Sequence, residues 1–449
     1  MLVAGRTASP ATRAGLPPSA PLPSAAQTAW IFRDPFGYLE QMHARHGSRF
    51  TLNALTRPPL VFLSDPAEAH AVLAAPPDVL APGEGGHPIM PIVGERSFML
   101  ADGETHRQGR ARLARLYTAE AIARHEDLIH ELVAREVASW PTGTPVALHP
   151  RLRALTLRVI LATLLGHDVE QRAPALHAQL LSLLSISAGV LVTLPPTRRL
   201  PGAHARWRRF LRERDAVDAT LRGLVEERRA SPGAGPADAL ELLLAGRDAH
   251  GEPLADPYIR DSLMSLILAG HETTSAELAW TFQLLAHDPR AQHALHADLD
   301  AGGDAYLTAT IQEALRHRPV FLFAIPRAVK RPIEIGGWTH VPPAQLLVCL
   351  YLLHHDPALF PDPHRFLPER FLDAAPDGDA WLPWGGGRKR CLGWRLAFRE
   401  LRTVLATALA RYTVEPAHPA PERARWRSAI VTPQRGCRVV LRRRPRPAN

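Results

Sequence analysis

One long apolar pattern in the second half of the chain constrains the fold more than any other feature. It starts at Asp256-Pro257, where Asp is a good N-cap and Pro a good first helical residue, and it runs to His287. The next residues, Asp288-Pro289, end it. The pattern predicts a helix of about 30 residues and about 45 Å. Such a helix crosses a whole domain, so the rest of the chain has to pack around it.

The middle of this predicted helix breaks several rules for a core helix. Glycine and paired threonines weaken a helix, and a carboxylate at mid-span is costly to bury. Local rules that are broken together indicate a functional site. The alternative is that the carboxylate simply faces solvent. The residues concerned are Ala269, Gly270, His271, Glu272, Thr273 and Thr274.

A second unusual stretch is a glycine-rich loop with three cations and one cysteine, Trp384 to Gly393 (WGGGRKRCLG). Cys391 lies just before a helical pattern that begins at Trp394, where a helix N-terminus favours a thiolate over a thiol. A thiolate on a loop of backbone amides suits a soft metal or haem iron. The alternatives are a small buried cysteine or a phosphate cradle. A Walker loop would need Gly-Lys-Ser/Thr, which is absent here.

Two pairs of charged residues have helical spacing. His106 and Arg110 are four residues apart and share a helical face, which is either an ordinary solvated face or a site for an anion. Glu313 and Arg316 are three apart, and such pairs are usually surface ion pairs that contribute little. The spacing alone leaves both alternatives open.

The composition predicts one large domain. The chain has 449 residues without an internal repeat or a Ser/Gly linker. Residues 1–27 are rich in Ala and Pro and are predicted to be disordered, 28–443 to form the domain, and 444–449 a short basic tail. No apolar run has the length of a membrane span or signal peptide. The three cysteines make no disulfide framework, so we expect a soluble cytoplasmic protein, and a monomer.

The net charge of +9 raises the hypothesis of a nucleic-acid-binding protein. The basic residues are scattered, however, and no motif of alternating basic and aromatic residues is present. A cationic face for an acidic protein partner is the better interpretation of this charge. We therefore expect no nucleic-acid partner.

In combination, these motifs resemble the cytochrome P450 family over residues 28–443. The cysteine loop is similar to the haem-binding signature, with Trp384 where Phe is usual and Lys389 where Arg or His is usual. The mid-helix motif resembles the oxygen-activation motif, and Glu313-x-x-Arg316 with Arg370 resembles the family's structural triad.

The resemblance implies a mainly α fold with a small β region, a single domain enclosing haem b. Cys391 would be the axial thiolate ligand of the iron, and Glu272 with Thr273 the catalytic proton relay. Because Lys389 is a point charge, it would hold a haem propionate more weakly than a forked Arg. The residues implied in cofactor binding are His106, Arg110, Ala269, Arg327, Trp384, Gly385, Lys389, Cys391 and Gly393.

The implied activity is a monooxygenase that activates dioxygen and hydroxylates or epoxidises a hydrophobic small molecule. Two electrons would come from NAD(P)H through ferredoxin reductase and an acidic ferredoxin-like donor. The alternative within the same fold is an enzyme that uses peroxide or rearranges a hydroperoxide. For His271, a solvated or helix-packed side chain is favoured over contact with substrate. The predicted substrate pocket comprises Ile89, Phe98, Leu184, Val190, Ala269, His271, Phe321, Phe323 and Val431.

Overall fold

The computed structural model describes residues 13–55, 57–187, 202–231, 238–248, 250–373 and 378–445. Val190 of the predicted pocket lies outside them. The helices up to the long central one are α1 Ser24–Arg33, α2 Pro35–His46, α3 Pro66–Ala74, α4 Pro82–Gly85, α5 Met90–Val93, α6 Gly103–Ala114, α7 Ala119–Ala123, α8 Glu126–Ala138, α9 Leu148–Leu165, α10 Val169–Arg172, α11 Leu176–Ser187, α12 Ala203–Ala230 and α13 Ala239–Leu244. The remaining helices are α14 Asp256–His287, α15 Pro289–Asp300, α16 Ala305–His317, α17 Leu350–His354 and α18 Trp394–Leu409.

Within the described ranges, short strands form four small sheets beside the helices. The strands are β1 Arg13–Ala14, β2 Arg49–Leu52, β3 Leu60–Leu63, β4 Leu80–Ala81, β5 Pro145–Ala147, β6 Arg327–Val329, β7 Ile333–Ile335, β8 Trp338–His340, β9 Gln345–Val348, β10 Tyr412–Pro416, β11 Ala424–Arg427, β12 Ile430–Pro433 and β13 Arg438–Arg443. The largest sheet has the order β2-β3-β9-β6-β4, and the others are β1-β8-β7, β10-β13-β5 and the hairpin β11-β12. The prediction of a mainly α fold with a small β region is confirmed.

Helix α14 is the long helix that the sequence predicts, with 32 residues. Its N-cap is Ala255, one residue before the predicted Asp256, and Asp256 instead binds Arg229 at 2.5 Å. Almost every side chain from Ile259 to Ala286 is buried. The helix packs against α9, α16 and α18 and against β10 and β12. It is therefore the element around which the main hydrophobic core forms.

Gly270 has a packing role in α14. A Cβ atom at this position would lie 2.7 Å from Cδ1 of Ile160 on α9, so a larger residue would require the Ile160 side chain to move. Glycine weakens the middle of α14, and at the same position α14 lies close to α9.

The prediction of disorder is wrong for residues 13–27. Helix α1 begins at Ser24, and Gln27 is buried, with its side-chain amide donating to the carbonyl oxygens of Ala20 and Leu22. The Ala/Pro composition hides these contacts because they are made by backbone groups. At the other end, Arg444 also belongs to the fold, since it donates to Asp300 at 2.6 Å and to the carbonyl of Leu409 at 2.9 Å.

None of the helices in the described ranges combines the length and the apolar composition needed to cross a membrane.

Candidate active site

The cysteine loop has the tight backbone that its glycines predict. Gly385 and Gly387 adopt φ values of 65° and 60°, which belong to the left-handed region that favours glycine. A Cβ atom on Gly387 would collide with the backbone of Leu73 in α3. The N–H of Cys391 donates to the carbonyl of Trp384 at 2.8 Å and closes the loop. Helix α18 then starts three residues after Cys391.

The thiol of Cys391 is partly exposed, whereas Cys349 and Cys437 are fully buried. Burial raises the pKa of the Cys391 thiol, while the N–H of Gly393 and the charges of Arg110 and Arg390 act in the opposite direction. Burial thus outweighs the N–H and cationic groups of the loop in setting the pKa of the free thiol. A metal ion that ligates a thiol deprotonates it outright.

Four basic side chains from different elements converge beside this loop. They come from α6, from β6 and from the loop itself, namely His106, Arg110, Arg327 and Lys389. Burial lowers the pKa of His106 to about 4, and the neighbouring Lys389, Arg110 and Arg327 add to the effect. Burial likewise lowers the pKa of Arg327 to about 10, and its Nη1 atom is buried without a hydrogen-bond partner. Mutually repelling cations with an unsatisfied donor fit the two carboxylates of a haem.

Lys389 points inward and is partly held by protein atoms. Its Nζ donates to the carbonyl oxygens of Met99 at 2.9 Å and Ala101 at 2.7 Å. Burial lowers its pKa to about 8. An ammonium group has three donors, so one remains for an anion. Its neighbours Arg388 and Arg390 are exposed at the surface.

On α14, Ala269 and Thr273 lie on the face that is open at mid-helix. Ala269 is exposed, and Leu268, Gly270 and Thr273 are partly exposed, in a helix that is otherwise mostly buried. The hydroxyl of Thr273 donates to the carbonyl of Ala269 at 2.6 Å. An open stripe in the middle of a core helix leaves room for a bound group, as the resemblance implies.

Glu272 faces away from this stripe and is buried in an ionic cluster. Arg153 on α9 donates to it at 2.7 Å, and Arg427 at the end of β11 donates at 2.6 Å. Burial raises the pKa of Glu272, but His271 and Arg427 outweigh this effect, so the pKa lies well below its usual value. The carboxylate therefore stays ionised. Sequence reasoning missed both arginines, because no local pattern connects them to Glu272.

His271 does not line a pocket, so its inclusion among the pocket residues is wrong. It is fully buried against α9, with its Nδ1 3.1 Å from the hydroxyl of Thr156. The assignment of Val431 to the pocket is also wrong, because its side chain is completely enclosed in the hydrophobic cluster beside the large sheet. For both residues, the sequence pattern does not show which face of the helix or strand borders the pocket.

The other described pocket residues fall into two groups. Ile89, Ala269 and Phe321 keep exposed surface. Phe323 is also partly exposed, although it contacts Phe62 and Trp426. Phe98 and Leu184, in contrast, are almost fully buried in the main cluster.

The predicted triad is assembled as one buried cluster. Arg316 binds both oxygens of Glu313, at 2.7 and 2.8 Å, and Arg370 approaches the same carboxylate at 3.2 Å. The N–H of Leu367 donates to Glu313 at 2.8 Å, and Arg316 also donates to the carbonyl of His354 at 2.7 Å. Glu313 and Arg316 are fully buried.

Comparison with known proteins agrees with this fold and site. The family model "Cytochrome P450" matches residues 16–441. Cytochrome P450 135B1 of Mycobacterium bovis is 32% identical over 435 residues, which are 95% of this chain and 92% of that protein. Cytochrome P450 137 of Mycobacterium tuberculosis is 34% identical over 436 residues, 95% of this chain and 91% of that protein.

Solved structures show the same fold. The retinoic-acid-bound cyanobacterial CYP120A1 has a TM-score of 0.81 at 21% identity, covering 96% of this chain and 99% of that one. A mutant cytochrome P450DA haem domain has a TM-score of 0.83 at 21% identity, covering 96% and 98%. The fold and site thus define a haem-thiolate monooxygenase, an oxidoreductase that holds haem through a cysteine thiolate. The chain belongs to the cytochrome P450 family.

Proposed function

We propose that the protein inserts one oxygen atom from dioxygen into a hydrophobic small molecule, by hydroxylation or epoxidation, in the cytoplasm. Two electrons come from NAD(P)H through ferredoxin reductase and an acidic ferredoxin-like donor. The observation that carries the proposal is the open Ala269–Thr273 stripe on α14 beside the buried, ionised Glu272. A peroxide-using enzyme needs no proton relay at this position, so the acid–Thr pair favours the dioxygen route.

In this proposal the thiolate of Cys391 would bind the haem iron, and the basic group of His106, Arg110, Arg327 and Lys389 would hold the propionates. The orphaned Nη1 of Arg327 and the remaining donor of Lys389 support this role. When bound, thiolate-ligated haem supplies the electron-transfer and dioxygen chemistry. Trp384, Gly385 and Gly393 keep the loop close to the macrocycle.

Thr273 is proposed to hold the proton that the reaction consumes. Its hydroxyl donates to Ala269 and can at the same time accept from water, so it orders a water molecule in the open stripe. Glu272 lies next to it in the chain but is bound to Arg153 and Arg427. It can pass a proton only after one of these hydrogen bonds opens. Proton delivery by this pair therefore depends on movement of an arginine.

The proposed substrate is apolar because the open pocket residues are. Ile89, Ala269 and Phe321 offer only hydrocarbon surface, and Phe321 is among the exposed large hydrophobic residues of the described chain. The proposed donor is acidic because Arg388, Arg390 and Arg395 are exposed around the cysteine loop. Complementary charge at such a surface steers a partner toward the iron and is screened by salt.

The Thr273→Ala variant tests this function, and the measured quantity is how the electrons from NAD(P)H divide between product and hydrogen peroxide. We expect normal haem content and normal NAD(P)H consumption with an added ferredoxin and reductase, but a several-fold rise in hydrogen peroxide per product. Cys391→Ala is the control for the haem assignment, and it should lose the red-shifted Soret band of the reduced carbon monoxide complex. An unchanged coupling ratio in Thr273→Ala, or faster product formation with peroxide than with the donor, would contradict the proposal.

The donor surface is tested by comparing two adjacent cations. Arg388→Glu should leave the spectrum unchanged and slow reduction by the ferredoxin several-fold at low salt, because the exposed charge steers the donor. Lys389→Ala should speed haem transfer to apomyoglobin instead, because it removes an inward donor. Stopped-flow reduction at two ionic strengths measures the first effect. Haem loss in Arg388→Glu with normal reduction would mean that the two roles are reversed.

A further inference from the structure

We propose that the cleft between α11 and α12 binds the anionic end, a carboxylate or phosphate monoester, of an amphiphilic molecule. The cleft has a volume of about 310 Å³. It is lined by Ser182, Ser185 and Ile186 of α11 and by Arg206 and Arg209 of α12. The proposal rests on the proposed function for the pocket that the apolar part of the molecule would enter.

Helical spacing places the lining groups on two facing surfaces. Ser182 and Ser185 are three residues apart, as are Arg206 and Arg209, so each pair shares one face of its helix. Helices α11 and α12 pack directly against each other. Two hydroxyl groups of one helix therefore face two guanidinium groups of the other across the cleft.

The two guanidinium groups are largely free of anions. Within the described residues, Arg206 has no carboxylate within 4.0 Å, and the nearest one to Arg209 is Glu213 at 3.6 Å. Arginines farther along the same helix are paired, since Arg228 binds Asp238 at 3.0 Å and Arg229 binds Asp256 at 2.5 Å. Planar guanidinium groups suit the paired oxygens of carboxylates and phosphates. The cleft therefore carries a net positive charge, because one carboxylate, that of Glu213, lies near its two arginines in the described residues.

Ser185 connects the cleft to the active site. Its hydroxyl oxygen accepts from Nη1 of Arg153 at 3.3 Å, which leaves its own hydrogen for an anion in the cleft. Arg153 in turn donates to Glu272 at 2.7 Å. An anion bound to Ser185 would thus be linked to the carboxylate beside Thr273 through three successive hydrogen bonds. Ile186 supplies the apolar wall along which a hydrocarbon chain can leave the cleft.

The test uses the haem-loaded protein and isothermal titration calorimetry with four probes: dodecanoate, dodecyl phosphate, methyl dodecanoate and acetate. The parent should bind both anionic amphiphiles about tenfold more tightly than the methyl ester. Arg206→Gln/Arg209→Gln should bind all three long-chain probes equally. The matched control is Arg208→Gln/Arg212→Gln, which removes two exposed charges from the same helix outside the cleft lining and should keep the preference.

Three results would overturn the site. The first is that the parent binds dodecanoate and its methyl ester equally well. The second is that both double variants lose the preference for the anionic probes to the same extent. The third is that acetate binds as tightly as dodecanoate. A preference for only one of the two anionic amphiphiles identifies which oxyanion the site takes. The carbonyl spectrum is recorded for each protein. A missing thiolate band refutes the proposed function, whereas a normal band without anion preference refutes only this site.

Discussion

Glu313 and Glu272 are two buried glutamates that each bind two arginines, yet their surroundings differ. The Glu313 cluster is complete, because Arg316 binds both of its oxygens and donates to two backbone carbonyls as well. The Glu272 cluster is drawn from three distant elements, and Nε2 of His271 lies 3.4 Å from the Glu272 carboxylate. The Glu313 cluster is therefore tied at short distance to the backbone around it, whereas the Glu272 cluster joins separate elements through side chains. We assign the first to holding the fold and propose that the second moves a proton.

Solvent access separates the two clusters further. The side chains of Glu313 and Arg316 are 0% exposed, whereas those of Arg153 and Arg427 are 11% and 19% exposed. An arginine that loses its carboxylate can be solvated only where water reaches it. The same substitution should consequently damage the two clusters in different ways.

The largest effect is expected for Glu313→Gln, which leaves Arg316 charged, fully buried and without its carboxylate. Breaking a buried pair in this way costs about 3–5 kcal/mol of unfolding free energy. We expect low haem content and a much lower unfolding temperature. The control is Glu369→Gln, which alters a half-exposed carboxylate on the adjacent turn that binds Arg290 and Tyr306. Equal stability of the two variants would remove the distinction between the clusters.

Glu272→Gln should have a smaller effect on stability and a large effect on turnover. Its two arginines reach solvent, so the haem content and the thiolate spectrum should stay normal. Proton delivery by a positioned group contributes about 10²–10⁴-fold, which is the expected fall in product formation. Product formation and unfolding temperature are measured on the same preparations as for Glu313→Gln. A fall in unfolding temperature as large as that of Glu313→Gln would show that Glu272 is structural.

The contrast also explains what the sequence could and could not predict. Glu313 and Arg316 are three residues apart, and the cysteine loop is one continuous stretch, so local patterns indicate both. Arg153 and Arg427 are 119 and 155 positions from Glu272. A buried carboxylate needs a cation, but the chain has 53 lysines and arginines, and no local pattern selects two of them.

The pocket was harder to predict than the cofactor loop for a related reason. Apolar residues line both cores and pockets, so hydrophobicity does not distinguish Phe321, which is open, from Val431, which is enclosed. Helix α14 is buried nearly all round, so its apolar pattern did not show which face His271 occupies. Only the packing of α9 against α14 settles this point, and that packing depends on residues more than 100 positions away.

A third buried glutamate, Glu277, extends the comparison, because neither of its oxygens has a hydrogen-bond partner. It lies one turn after Thr273 on α14 and is 2% exposed. Burial raises its pKa well above the usual value, so the folded protein keeps it protonated, whereas the unfolded chain ionises it above about pH 4.3. Glu272 has the opposite shift. Between the pKa of the unfolded chain and the raised pKa of the folded state, unfolding therefore releases a proton from Glu277, and this release favours the unfolded state.

Glu277→Gln, which keeps the shape of the neutral acid, should accordingly stabilise the protein as pH rises. Relative to the parent, the unfolding free energy of the variant rises by about 1.4 kcal/mol for each pH unit above about 4.3, until the pH reaches the raised pKa of the folded state. At pH 4 the variant and the parent should unfold at the same temperature, and at pH 8 the variant should unfold several degrees higher. Glu272→Gln should show the reverse trend, since its depressed pKa gives stability that is present at neutral pH and lost as pH falls below about 4. Parallel unfolding curves of Glu277→Gln and the parent across this pH range would mean that Glu277 ionises in the folded protein, and hence that it has a partner.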